Sequence, residues 1–143
     1  MGSVRIVEAG LADWKPVHEA VKPEVAEKMS SAERDADVNI IHPGTNNEPQ
    51  LFEASIAPNA KVSLHAHEAD EIIYVLAGEM RIGRKKLGPG ASVFVAGKTL
   101  YGFSAGPAGV RFLNFRGDAN TSFITQEEYM ARNLHREEAE WKD

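Results

Sequence analysis

The chain has no cysteine among its 143 residues, which removes disulfides, thiolate metal sites and cysteine nucleophiles together. No apolar run approaches the ~20 residues that cross a bilayer, and residues 1–10 lack the pattern of a signal peptide. A soluble cytoplasmic protein with no membrane partner is the expectation. Basic residues gather only at Arg84, Lys85 and Lys86, against a formal net charge of −5. A polyanion finds nothing to follow there, so no nucleic acid is expected, and the triplet reads as a solvated hairpin tip. Repeats, linkers and low-complexity segments are missing as well. The length predicts one domain over 1–143, and 43% hydrophobic against 26% charged residues excludes disorder.

What is present from residue 38 onward is mostly β pattern. VNII (38–41), LFEASIAP (51–58) and KVSLHAH (61–67) read as strands, separated by the turn formers HPGTNNEPQ (42–50) and Pro58-Asn59-Ala60. EMRIGRKKLGPG (79–90) predicts a stubby hairpin at Gly83-Arg84, and SVFVAG (92–97) a buried strand. TLYGF (99–103), a Gly/Pro turn in SAGPAG (104–109) and VRFLNFR (110–116) complete a set of short strands that points to a barrel or sandwich. The ends differ. VRIV (4–7) is a candidate strand, Asp13 a candidate cap for WKPVHEAV, and Pro23 opens EVAEKMSSAER as one amphipathic helix. A capping-box pattern from Thr125 to Glu128 predicts a C-terminal helix over about 125–141, with His135 on its surface and Trp141 free to pack. His18 and His42 read as surface or structural residues.

The chemistry concentrates in HAHEADEIIYVLAG (65–78). Residues two apart on a strand share a face, so His65 and His67 leave the backbone together, roughly 7 Å apart. Ala69 and Asp70 have little liking for strands and predict a turn that returns the chain antiparallel, with Glu71 beside the imidazoles and IIYVL as a buried strand. Two imidazoles and a carboxylate on one face form a facial triad suited to a divalent metal with open positions, iron(II) above all. A half-buried hairpin with incidental histidines is the plainer alternative.

The pattern H-x-H-x3-E-x6-G, carried by His65, His67, Glu71 and Gly78, resembles the first motif of the cupins, a superfamily of small antiparallel β-barrels. The glycine usual six residues before the first histidine is Asn59, the non-glycine residue that best tolerates a left-handed backbone. The second cupin motif is eroded: Gly90 stays, while Ala96, Lys98, Tyr101 and Ala105 stand at its Pro, Gly, His and Asn positions. The resemblance covers about 50–116. It implies an all-β fold, a cupin-like antiparallel β-barrel (jelly roll) with core about 38–116, an N-terminal helical segment and a C-terminal helix. It also implies a homodimer, and a metal held by His65, His67 and Glu71, with Tyr101 at the fourth ligand position. Iron(II) leads, with manganese, nickel and zinc as alternatives.

Tyr101 has three candidate roles: a phenolate metal ligand, a catalytic acid or hydrogen-bond donor, or filler. Strand parity assigns Ile73, Val75, Phe94, Phe103, Phe112 and Asn114 to a substrate pocket. Mostly apolar with few anchors, it suits a small aromatic or dicarbonyl compound. The leading expectation is a metal-dependent enzyme acting on a small organic substrate, dioxygenase-like. A non-catalytic small-molecule binder, or a cupin lyase, isomerase or polyketide cyclase, stands as the alternative.

Overall fold

The computed structural model describes residues 2–45, 47–117 and 122–132. Its architecture is a curled antiparallel sheet with short helices at its margins. The N-terminal part holds β1 (Trp14–Pro16), α1 (Val17–Ala20), α2 (Pro23–Ala26) and α3 (Ser31–Asp35). The sheet continues through β2 (Asp37–His42), β3 (Gln50–Ile56), β4 (Lys61–Ala66), β5 (Glu71–Ile82), β6 (Lys85–Leu87), β7 (Ser92–Val95), β8 (Tyr101–Arg116) and β9 (Ile124–Thr125), and α4 (Gln126–Ala131) follows. Segment 4–7 is not a strand.

β8 is the spine. Its second half, Val110 to Arg116, pairs with β3 on one edge and β5 on the other. Its first half pairs with β4 on one edge and with the far end of β5 on the other. Inward positions Phe103, Ala105, Val110, Phe112 and Asn114 are buried, so alternation is kept through most of the strand. SAGPAG does not reverse the chain as expected. Register jumps from Ala105 opposite Met80 to Val110 opposite Gly78, so the Gly/Pro residues form a wide bulge that bends one long strand around a corner.

The turn at Ala69-Asp70 also differs from expectation. β4 and β5 do not pair with each other: β4 lies against β8 and β9, and β5 against β6, β7 and β8. The connecting loop is tied instead to the loop before β8. Asp70 Oδ1 accepts from the N–H of Gly97 at 2.7 Å, and the His67 carbonyl accepts from the N–H of Lys98 at 2.7 Å. IIYVL is half buried rather than buried throughout: Ile73 and Val75 are enclosed, whereas Ile72 and Tyr74 are each 45% exposed.

Phe94 pairs with Ile72 on that outward face and is 64% exposed, so it does not join the pocket. The helix from Pro23 is split. Ser30 accepts a hydrogen bond from the N–H of Glu33 and caps a new helix, α3, because a serine before a Glu three residues on starts helices better than it continues them. Asp13 does not cap WKPVHEAV, which forms β1 and then α1 behind Pro16. The Thr125 cap on Glu128 N–H is present at 3.1 Å, while His135, Arg136 and Trp141 lie outside the described residues.

The motif positions carry their backbone demands. Asn59 and Lys98, standing where glycines are usual, adopt φ of 60° and 62°. Gly78 has φ +74°, and a Cβ there would collide with the Gly109 carbonyl oxygen. Gly90 has φ +92° but only the Tyr74 hydroxyl within 4.0 Å of a Cβ. Gly78→Ala is therefore expected to cost at least about 3 kcal/mol, by strain plus collision. Gly90→Ala is expected to cost only about 1–2 kcal/mol, by backbone strain alone. Urea unfolding of both variants tests this, and equal losses would remove the close β5–β8 approach as the reason for Gly78.

Candidate functional site

His65 ends β4 and stands directly opposite Tyr101 of β8 and Thr125 of β9. β9 had no signal in the strand pattern, yet it completes the site by bringing Phe123 and Ser122 onto the histidines. The Phe123 ring stacks on His65 with centroids 4.8 Å apart and planes 5° apart. The His65 and His67 rings lie 4.9 Å apart, edge to face, so the shared face predicted from their spacing is real. Each imidazole gives its Nδ1–H to a backbone carbonyl, His65 to Ser63 at 2.8 Å and His67 to Ser122 at 2.5 Å. An acceptor at Nδ1 fixes the tautomer, and both Nε2 atoms are left as lone-pair acceptors. Burial pushes both rings toward the neutral form. His67 falls to about 3, from burial and the neighbouring Arg116 guanidinium. His65 is lowered by burial, which outweighs the raising effects of the Ser63 carbonyl and nearby carboxylates.

Glu71 opens β5 and is in register with Arg116 of β8. Its Oε2 accepts from Arg116 Nε at 3.0 Å and from Asn114 Nδ2 at 3.2 Å, and Tyr101 donates its hydroxyl to Oε1. Burial alone would raise this carboxyl group. The guanidinium and the hydrogen bonds from Tyr101 and Arg116 prevail, and Glu71 is held below the usual carboxylate range. Tyr101 is held well above its ordinary range by burial and by the Glu71 charge. In this arrangement it is a neutral phenol that donates its hydrogen bond to Glu71. Arg116 Nη2 reaches His67 Nε2 at 3.3 Å, and its guanidinium carbon lies 5.3 Å over the Phe52 ring.

The donor set can be tested against a divalent metal. The two Nε2 lone pairs suit one. Glu71 does not: both its oxygens are taken, and a guanidinium bridges it to His67. Among the described residues, no three His, Cys, Asp or Glu side chains are arranged to hold a metal ion. As it stands, the cluster does not fit iron(II), manganese, nickel or zinc, because Arg116 already supplies the positive charge that Glu71 requires.

The cluster faces a cavity of about 120 Å³, lined by the expected Ile73, Tyr101, Phe103, Phe112 and Asn114, and also by Glu33, Arg116 and Phe123. A chamber of about 320 Å³ adjoins it and shares Val17, Met29, Phe52, His67, Arg116 and Phe123. Val75 is fully buried in the core and is not on the wall. Strand parity puts Arg116 on the face of Phe112 and Asn114, but parity alone assigned it no role; of the other wall residues, Glu33 and Phe123 were missed. Glu33 and Phe123 lie on α3 and next to β9, elements whose docking on the barrel has no local signature.

No protein-family model matches this chain, and no curated protein matches it. Solved structures do. The polyketide cyclase RemF from Streptomyces resistomycificus is 21% identical with a TM-score of 0.65, over 92% of this chain and 94% of its own. An RmlC-like cupin from Shewanella frigidimarina is 17% identical with a TM-score of 0.60, over 89% and 96%. An RmlC-like cupin from Ralstonia eutropha is 12% identical with a TM-score of 0.63, over 96% and 88%. Identities this low carry the fold and nothing finer. Among the described residues, no helix is long and apolar enough to cross a membrane.

The neutral imidazoles have a measurable consequence. Unfolded, His67 titrates at about 6.5; folded, at about 3. Between these values the unfolded chain binds a proton that the native chain does not, so stability falls as pH drops below about 6.5. Glu71, lowered in the fold, adds a further loss as pH falls below its ordinary value of 4.5. His67→Gln is expected to reduce the slope of unfolding free energy against pH, between pH 4 and 6, by about 1.4 kcal/mol per unit, one proton's worth. Urea midpoints across that range measure it. An unchanged slope would mean that His67 is not held neutral.

Proposed function

Because this chain has the cupin fold, we propose that its barrel interior is an active site for proton transfer on a small, mostly apolar carbonyl compound. The reaction is of the isomerase, lyase or cyclase kind. The observation that carries this reading is Arg116, a partly buried cation at the edge of an apolar cavity, fixed by Glu71 and His67. Those two contacts use two of its five N–H donors, and the rest, with no partner among the described residues, can meet charge developing on a carbonyl oxygen.

His65 is the base. Its Nε2 carries a lone pair in the cavity wall, and the Ser63 carbonyl that takes its Nδ1–H also steadies the imidazolium formed on protonation. A hydrogen alpha to the substrate carbonyl leaves as a proton to Nε2. The electrons of the broken C–H bond move into the carbon–carbon–oxygen system, and the resulting enolate oxygen rests on Arg116. Return of the proton at a different atom completes an isomerisation; attack of the enolate carbon on a second carbonyl would close a ring, with the proton passing from His65 to the oxygen of that carbonyl. Tyr101 has given its hydrogen to Glu71, so toward the ligand it offers an oxygen acceptor that orients the substrate. A fold neighbour of similar length is a polyketide cyclase, which agrees with this class without selecting it.

A second reading has one specific observation in its favour. Both imidazoles are held with Nε2 free of hydrogen, the form that binds metals. Were Arg116 to turn away, His65, His67 and Glu71 would make a centre for a divalent ion, iron(II) foremost, and oxygenase-type chemistry would become available.

Exchange of the alpha hydrogens of α-tetralone in D2O, followed by NMR, separates the two. The protein is expected to accelerate exchange over buffer. His65→Gln should lower the rate by about 10²-fold or more. Arg116→Lys keeps a counter-charge for Glu71 but loses the fork and should cost about 10²-fold. Dialysis against a chelator should change nothing. Loss on chelation with recovery on adding iron(II) would favour the second reading, and no acceleration in the unaltered protein would overturn the first.

A further inference from the structure

The cavity wall holds two oxygen atoms that the network around Glu71 leaves over. Glu33 of α3 is 6% exposed and lines the same cavity as His65 and Tyr101. Its Oε1 accepts from the Ser63 N–H at 2.7 Å and from the Ser63 hydroxyl at 2.5 Å. Its Oε2 is buried and has no partner among the described residues. Asn114 of β8, 3% exposed, donates its Nδ2 to Glu71, and its Oδ1 is buried without a partner among the described residues too. Such acceptors are rare in folded proteins, because nothing offsets their loss of water. Two of them on one small wall need a common reason.

We infer that Glu33 and Asn114 read hydrogen-bond donors on the ligand, so the ligand is a hydroxylated aromatic compound whose hydroxyl hydrogens meet Glu33 Oε2 and Asn114 Oδ1. The inference rests on the barrel cavity being the ligand site, as proposed above. The remainder of the wall agrees with it. Phe103, Phe112, Phe123 and Ile73 give the wall apolar surface for a flat ring. The other polar atoms are mostly acceptors: Nε2 of His65, and the Tyr101 oxygen, whose hydrogen goes to Glu71. A ketone or ether with no hydrogen to give satisfies Arg116 and leaves every acceptor unmatched, so it binds more weakly than the analogue that carries the hydroxyl.

Anchoring α3 to β4 does not account for Glu33 by itself. Both Ser63 bonds fall on Oε1, so the second oxygen adds nothing to the anchor. What those bonds do is hold the carboxyl group in one orientation, which prepares Oε2 for a ligand.

Calorimetric titration with β-naphthol and with its methyl ether tests the inference. The unaltered protein is expected to bind the naphthol at least about tenfold more tightly than the ether. Glu33→Gln keeps an oxygen for Ser63 and replaces Oε2 with a donor. The naphthol preference should then fall to within about threefold, with the ether bound as well as before or better, and the melting temperature should stay within a few degrees. Glu33→Met, which fills the space without an acceptor, should lose the preference in the same way. Retention of the preference in both variants would overturn the inference, as would no preference, or no naphthol binding, in the unaltered protein. The α-tetralone exchange rate keeps the two readings apart. Exchange intact, with the preference insensitive to Glu33, removes this inference alone. Preference lost on Glu33→Gln in a protein that exchanges no hydrogen keeps it and removes the catalytic reading.

Discussion

The ion pair between Glu71 and Arg116, directly opposite each other across β5 and β8, is the contact on which the site depends. With side chains 1% and 14% exposed, it lies where charges are costly to bury. A buried pair adds little net stability over an apolar substitute, yet removing one member leaves the other uncompensated at about 3–5 kcal/mol. The pair therefore constrains the fold more than it strengthens it. A slip of one residue along β5–β8 would turn Glu71 outward and leave Arg116 unmatched. The same pair sets the neighbouring protonation states: the Arg116 charge adds to burial in keeping His67 neutral, and the Glu71 charge adds to burial in keeping Tyr101 protonated.

Much of the scaffold was legible because it depends on local rules. The two-residue spacing of His65 and His67 gave their common face, Asn59 announced left-handed backbone, and Thr125 with Glu128 announced a helix start. Parity placed Ile73, Phe103, Phe112 and Asn114 on the cavity wall. The failures share a cause. Phe94 was assigned inward, but its partner is Ile72 on the outward face of β5, and that pairing decides which way it points. The Ala69-Asp70 turn looked like a hairpin because the residues fit one, whereas the edges of β8 were already the better partners for both β4 and β5. No local pattern reports which strand edges compete.

The site itself was legible as a set of residues and not as an arrangement. His65, His67, Glu71 and Tyr101 do converge. Their roles were set by Arg116, fifteen positions beyond Tyr101, whose charge turns a potential ligand, Glu71, into one half of an ion pair. Sequence spacing counts ligands; it does not count the cations that compete for them. Glu33 was invisible for a different reason. Its capping position at the start of α3 explains why a glutamate stands there locally, and only the packing of α3 on β4 through Ser63 shows that the carboxyl group has reached the cavity.

The division of labour across the barrel follows from this. Strands β4, β5 and β8 carry His65, the ion pair and the phenol, with His67 one residue past the end of β4, and their ladders fix those groups to within small displacements. The cavity is closed by elements outside that core: Val17, Met29 and Glu33 from the N-terminal segment, and Phe123 beside β9. These contributors make few ladder contacts of their own, so they can differ in size and polarity without disturbing the register that holds Glu71 against Arg116. Chemistry placed on the ladder is hard to alter, because every change there meets a buried charge. Selectivity placed on the margins is easy to alter. That physical asymmetry lets one barrel keep a fixed cluster of imidazoles, phenol and ion pair while the walls around the cavity change in size and polarity.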